Sequence, residues 1–507
     1  LKSEDFMVHL VHDPAGLRAM RGLEGDFAQL LRASALQVYR WDGQSRRADN
    51  GGTVLGIGET GRWLLGHDGT VCLSVFGISG PQAPADDALD ALVSDPAVRC
   101  IRAACDLRLQ RRHTFFRSGL RLDFGMHLLS AEGVEDAVHN DPFHALLHFC
   151  GRAEEASSFS VTLHADIPEL YDALEVTDSA RCPVGSWWRV SVDPLQGRAE
   201  RELDKLLQVT QVLDRTHVRV NYKLGWPLCA GRVLTWTPVT PVEDITIENL
   251  RFRGNPGGEA PGVHPICFQY AVRCDARDIH AVGSYWPVIL RQHCTQYVTQ
   301  RCSLLNPTEV VVGGTGYLTQ QICCLYGRVQ DCTCSNARHL NDFTQSAYCM
   351  VDNCHADGDH HGAFVTHGQY EHDLTYLGCS GLLSFANSGP TWGSCAKRIT
   401  VERHVGCWSI GFAKISDLTL RDVTVCKTDS YDVCGVFQQN ADGLQMQGCA
   451  GDELILTQRS RRSRRPTVIR DCFFARGVTI VREGPGAVPE DAEIILEHIQ
   501  TEQEAQP

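Results

Sequence analysis

GRVQDCTCSNARHLNDFTQSAYCMVDNC, residues 327–354, carries one short unit twice: GRVQDC ending at Cys332 and CMVDNC ending at Cys354, 22 residues apart. Each unit alternates residue types as a strand does and ends on a turn-forming Asp or Asn followed by cysteine. The unit recurs outward in both directions, as YVTQRC (297–302), LTYLGC (374–379), LQMQGC (444–449) and TVIRDC (467–472). Between Cys379 and Cys449 the gap is 70 residues, and ITVERH (399–404) and LTLRDV (418–423) fill it with His404 and Val423 in the cysteine position. A period of about 20–30 residues with one short strand per repeat marks a solenoid. Short strands, polar corners and the lack of a recurring ten-residue helical element favour a three-sided parallel β-helix over a helix-containing repeat. On this reading the six cysteines form one inward column and should be buried, unpaired and stacked.

Composition agrees with a column of buried thiols. The 507 residues include 23 cysteines, an odd number that cannot pair completely within one chain, and 17 of them lie between 267 and 472. Cysteine is among the most buried residue types and fills space as a small apolar group. Cys323, Cys324, Cys332 and Cys334 lie close together but lack a paired CxxC spacing, so no metal and no cofactor is expected. The net charge of −14 argues against nucleic acid as a partner. No apolar run is long enough for a membrane span, so membrane insertion is not expected.

Along the chain, residues 1–80 read as a small α+β module, with QVYRWDG and GRWLLGHDG as strands. ADDALDALVSDP, within an entry region at 81–150, reads as a short helix that opens on aspartates. Residues 151–240 break the rhythm with longer strands and form an inserted β-rich module; ERELDKLLQVTQVLD (200–214) suggests a helix at first and then a strand. From 241 to 484 the repeat is continuous, beginning with VEDITIENLRFRGN (242–255), and 485–507 reads as a polar cap or tail.

Several stretches carry a likeness. ISGPQAPADDALDAL (78–92) resembles the entry helix of pectate-lyase-like β-helix proteins, without their GDG. YRWDG, NGGTVL and GRWLLG look like the module that precedes the β-helix in bacteriophage tailspikes. HHGAFVTHGQYEHDLTY (360–376) and SFANSGPTWGSCAKRITV (384–401) are similar to tailspike segments. The resemblance implies an all-β, right-handed, single-stranded parallel β-helix that assembles as a homotrimer in a virion tail or outside the cell. It also implies an upstream virion-attachment segment or other tail proteins as partners. The implied function is to recognise, and to depolymerise by hydrolysis or β-elimination, a bacterial surface polysaccharide. The motif set of polygalacturonases is not reproduced, so the likeness assigns no catalytic residue.

The densest polar cluster is DGDHHGAFVTHGQYEHD (357–373). Glycoside hydrolysis takes two carboxyl groups about 5–5.5 or 6.5–9.5 Å apart, and turns stacked about 4.8 Å apart reach either separation. Asp357 and Asp359, two residues apart, would share a face of an extended segment, and both are candidate acid/base groups. Asp373 falls level with Arg398 and Asp417 on successive turns, a charge ladder. Glu371 falls level with Ser346 and Ala396, which offer it no cation, and so joins Asp357 and Asp359 as a catalytic candidate. His361 and His367 are expected to orient or bind substrate, Lys397 and Arg398 to meet its charge, and Trp392 and Trp408 to stack on sugar rings. The other reading is a glycan-binding appendage or structural adhesin without catalysis. RSRRSRR (459–465) is the one strong basic run, suited either to an anionic glycan or to solvent.

Overall fold

A computed structural model describes residues 7–32, 35–131, 134, 145–195, 200–254, 263–357, 362–385, 395–428, 434–458, 463–482 and 493–502. Thirty-one strands among these residues join in one hydrogen-bonded array. Successive rungs of the array are parallel and about one turn of sequence apart, as in Ile289–Gln292, Tyr317–Ile322, His339–Thr344 and Phe364–Thr366. The fold is a parallel β-helix. Its interior is a single apolar column from Val71 to Phe474.

The cysteine ruler reads the register correctly. Ser303, Thr333, His355, Ser380, Val405, Thr424, Ala450 and Phe473 are partners across successive turns. The residues just before them are Cys302, Cys332, Cys354, Cys379, His404, Val423, Cys449 and Cys472, one column. All six thiols are buried and free, and the Cys332 sulfur accepts from the Cys302 amide at 3.4 Å. One position earlier the backbone turns a corner in the left-handed region, at Arg301, Asp331, Asn353, Gly378, Arg403, Asp422, Gly448 and Asp471. Asn, Asp and Gly enter that region most readily, which is why they precede the cysteines so often. Arg301 is held there by a two-bonded pair with Asp278, at 2.7 Å each.

Two other units flank the helix. A five-stranded sheet spans Val8–Val11 to Arg62–Leu65. The first helical rung, Thr70–Cys72, follows closely. The α-helix Asp86–Ser94 packs Leu89, Leu92 and Val93 into the core of the first turns. The second unit is a seven-stranded antiparallel sheet from Arg152–Ala153 to Val233–Thr240, inserted within one turn of the helix. Asp204–Val212 is strand throughout, so the helix expected at the start of 200–214 does not form. The reason is tertiary. Leu207 enters the insert's own core while Leu206 packs with Tyr270 and Val272 of the β-helix, so both faces of this strand are covered. At the other end, Ile494–Gln500 adds a last parallel rung on Thr467–Phe474, inside the stretch expected as a cap or tail.

The insert lies along one corner of the helix. Tyr326 and Tyr348 donate to the Asn221 and Lys223 carbonyls at 2.6 and 3.0 Å. Tyr222 bonds the His372 ring at 2.7 Å. Gly225 is required at this contact, because a Cβ there would stand 2.4 Å from the His372 ring.

Candidate functional site

The turn that holds Glu371 departs from its neighbours. Phe343 pairs with Thr366 and Ala347 with His372, so this turn spends six steps where the preceding one spends four. The two extra residues bulge the corner and bring His367 and Glu371 back toward the preceding turn. There the Glu371 carboxyl accepts on Oε1 from the Gln345 amide at 3.1 Å and the His367 amide at 3.3 Å. Its Oε2 is buried without a partner. Burial pushes this carboxyl up from the ordinary glutamate range, and the nearby His367 offsets only part of the rise.

His367 connects Glu371 to a second carboxyl. Its Nε2 lies 3.0 Å from Asp342 Oδ2. Burial works against the imidazolium, but the Asp342 charge and hydrogen bond outweigh it and carry His367 up to about 9. For Asp342 the same balance has the opposite sign. Burial would raise it, yet the His367 charge and bond hold it below the usual carboxylate value. Thr344 donates to its other oxygen at 3.2 Å. His339, beside this pair, is pushed down to about 3 by burial and bonds the Gly362 carbonyl at 2.5 Å through Nδ1. Asp342 and Glu371 are fully buried, whereas the His367 side chain keeps 19% of its surface exposed. The histidine is where this cluster meets the surface.

The chain thus brings together one ionised carboxylate, one carboxyl biased toward its acid form, and an imidazolium between them. Opposite biases on two acids are what acid/base catalysis requires. Asp342 was not among the residues singled out from the sequence. Its strand pairs Leu290, Gln320, Asp342 and Val365 in one rung, and a lone acid in a neutral rung was the available signal.

Other expected site residues fall elsewhere. Asp357 ends the strand His355–Asp357 and is exposed. It lies before the side of the helix whose far end carries Glu371. The six-residue strand that spans this side one turn earlier is roughly 17 Å long at about 3.3 Å per residue, so Asp357 and Glu371 do not share a site. Asp359, His361 and Trp392 lie outside the described residues. Lys397 is engaged by the insert, with Glu169 at 2.6 Å and the Trp226 ring 4.6 Å from its Nζ. Arg398 makes two bonds to Asp373, at 2.9 and 2.8 Å. Both cations therefore brace the junction with the insert rather than stand open to a ligand's charge. Asp373 also holds His372 Nδ1 at 2.7 Å, and His372, pushed down to about 4 by burial, is neutral. Trp408 is half-buried at the start of Trp408–Ser416, with its indole nitrogen covered and unpartnered. Of the basic run, residues 459–462 lie outside the described residues; Arg465 lies 4.0 Å from Asp417.

No protein family and no curated protein matches the sequence. Solved structures do match. The tailspike gp61 of Pseudomonas phage phi297 superposes with a TM-score of 0.50 at 11% identity, over 81% of this chain and 74% of that one. The Gp54 tailspike of Acinetobacter baumannii bacteriophage AP22, solved with a capsular saccharide, gives 0.47 at 11% identity, over 79% and 75%. The surface adhesin PfbA of Streptococcus pneumoniae gives 0.42 at 10% identity, over 85% and 92%. The fold is a tailspike-like parallel β-helix. Among the described residues no helix is long and apolar enough to cross a membrane.

Proposed function

We propose that this chain is a tail protein that binds a bacterial surface polysaccharide and cleaves it by hydrolysis, in a homotrimer on a virion tail. One observation carries the enzymatic reading: Asp342 and Glu371, two buried carboxyls joined by His367, have their proton affinities driven apart. Glu371, which retains its proton more readily, donates it to the glycosidic oxygen as that bond breaks. Asp342, held ionised, takes the proton of the attacking water. His367 sets Asp342's charge and offers the surface contact for the sugar. Asp357 stands apart from this site on this reading.

A second reading, a glycan-binding appendage without catalysis, is favoured by the complete burial of Asp342 and Glu371. One experiment separates the two. The protein is incubated with purified capsule and lipopolysaccharide from a panel of hosts, and the products are sized and scanned for ultraviolet absorption. Non-absorbing oligosaccharides, lost in Glu371→Gln with binding retained, support hydrolysis at this site. Absorbing unsaturated products indicate elimination instead. Tight binding with no product across the panel supports the appendage.

A further inference from the structure

The insert and the helix meet over a second polar cluster that the proposed chemistry does not use. Asp204 opens the insert strand Asp204–Val212. His293 and Cys323 are left-handed corner residues at the same position of consecutive helical turns, with φ of 50° and 57°. The His293 amide bonds the carbonyl of Ile322 at 2.9 Å, directly before Cys323. All three side chains are buried, and one donor atom from each lies within 4.8 Å of the other two. Gln345 occupies the corner of the next turn, also left-handed at φ 50°. Its Oε1 stands 3.2 Å from the Cys323 sulfur, while its amide nitrogen is fixed by the Arg201 carbonyl at 2.8 Å.

We propose that Asp204, His293 and Cys323 form a structural zinc site that staples the insert to the β-helix, with Gln345 Oε1 completing a tetrahedral shell. The donor types suit zinc, which takes imidazole nitrogen, thiolate sulfur and carboxylate oxygen. Bonds of about 2.0–2.3 Å in a tetrahedron put ligand atoms roughly 3.3–3.8 Å apart; the donors stand in hydrogen-bond contact at 2.9 Å (Asp204 Oδ1 to His293 Nε2) and 3.2 Å (sulfur to Gln345 Oε1), so each pair opens by a few tenths of an ångström to admit the ion. Arg189 grips both oxygens of Asp204 at 2.9 Å and orients the carboxylate as an outer-shell partner does. Two anionic ligands, the Asp204 carboxylate and the Cys323 thiolate left when zinc binding releases the thiol proton, offset its positive charge. Because the site closes only when insert and helix dock, the metal is taken up as the chain folds.

The test uses the full chain, expressed with zinc and, separately, with cobalt in zinc-depleted medium. One zinc per chain is expected, with an X-ray absorption shell of one sulfur and otherwise nitrogen and oxygen. The cobalt protein should show a thiolate charge-transfer band. That band should vanish in Cys323→Ser and persist in Cys332→Ser, a cysteine of the interior column. A metal-free wild-type protein, a shell with no sulfur or with several, or a band that survives Cys323→Ser overturns the proposal. The wild-type absorption shell decides the matter even where Cys323→Ser does not fold.

Discussion

Replacing Asp342 by Asn keeps the shape of the side chain and one oxygen, which can accept from either Thr344 or His367, but removes the charge that holds His367 as an imidazolium. In the folded chain His367 stands at about 9, against 6.5 for an unperturbed histidine. At 1.36 kcal/mol per pH unit this interval corresponds to about 3 kcal/mol of folding free energy. That figure is a lower bound on the effect of Asp342, because burial alone would push His367 below 6.5. A histidine whose folded value is raised contributes its full stability below the unfolded value and loses it as pH rises through the folded value. Asp342→Asn should therefore destabilise the protein by about 3 kcal/mol at pH near 6 and by little above pH near 10. Unfolding rates and urea midpoints, measured at both pH values under reducing conditions, give the comparison. Equal loss at both would mean that packing, not charge, holds this corner. No loss near pH 6 would refute the ion pair and with it the ionised state assigned to Asp342.

Glu371→Gln keeps an acceptor for the amides of Gln345 and His367 and gives up only a carboxyl proton, so folding should be unharmed while polysaccharide cleavage falls about 10²–10⁴-fold; full cleavage in this variant removes Glu371 from the mechanism. In wild type, cleavage should decline as pH rises and Glu371 ionises, and a rate that climbs with pH instead would assign it the role of base. A thiol reagent added to the native protein should modify the exposed Cys229 and Cys426 rapidly and leave Cys302, Cys332, Cys354, Cys379, Cys449 and Cys472 untouched until unfolding; mass mapping of a disulfide within that set contradicts the column. Gly225→Ala, which sets a methyl group against the His372 ring, should cost about 1–3 kcal/mol and loosen the insert, seen as faster proteolysis of 151–240 with the helix intact; unchanged stability would mean that the insert docks by other contacts.

The repeat was legible because a β-helix stacks equivalent residues. Each turn faces the same interior, so similar side chains recur at a fixed place, and a column of cysteines numbers the turns even where His404 and Val423 replace them. The same register set Arg398 on Asp373, and the two bonds between them follow from it. The candidate site was only partly legible. Glu371 stood out as an acid without a cation at its level, and burial raises it; His367 in its own turn, brought near by two extra residues at the corner, offsets only part of that rise while its ring pairs with Asp342. Asp342, on the preceding turn, gave a weaker signal because its rung is otherwise neutral. Lys397 suited a substrate clamp in one dimension, and Glu169 and Trp226, more than 150 residues away in sequence, occupy it instead.

The sequence by itself determined the β-helix, its register and the burial of the interior cysteines, since these follow from local alternation and period. Tertiary structure alone decided which carboxyls become an acid pair, which cations are spent on the insert, and that Asp204, His293 and Cys323 meet. Those outcomes depend on burial and on charges a few ångströms apart, set by where a separate sheet docks, and no spacing along the chain encodes that contact.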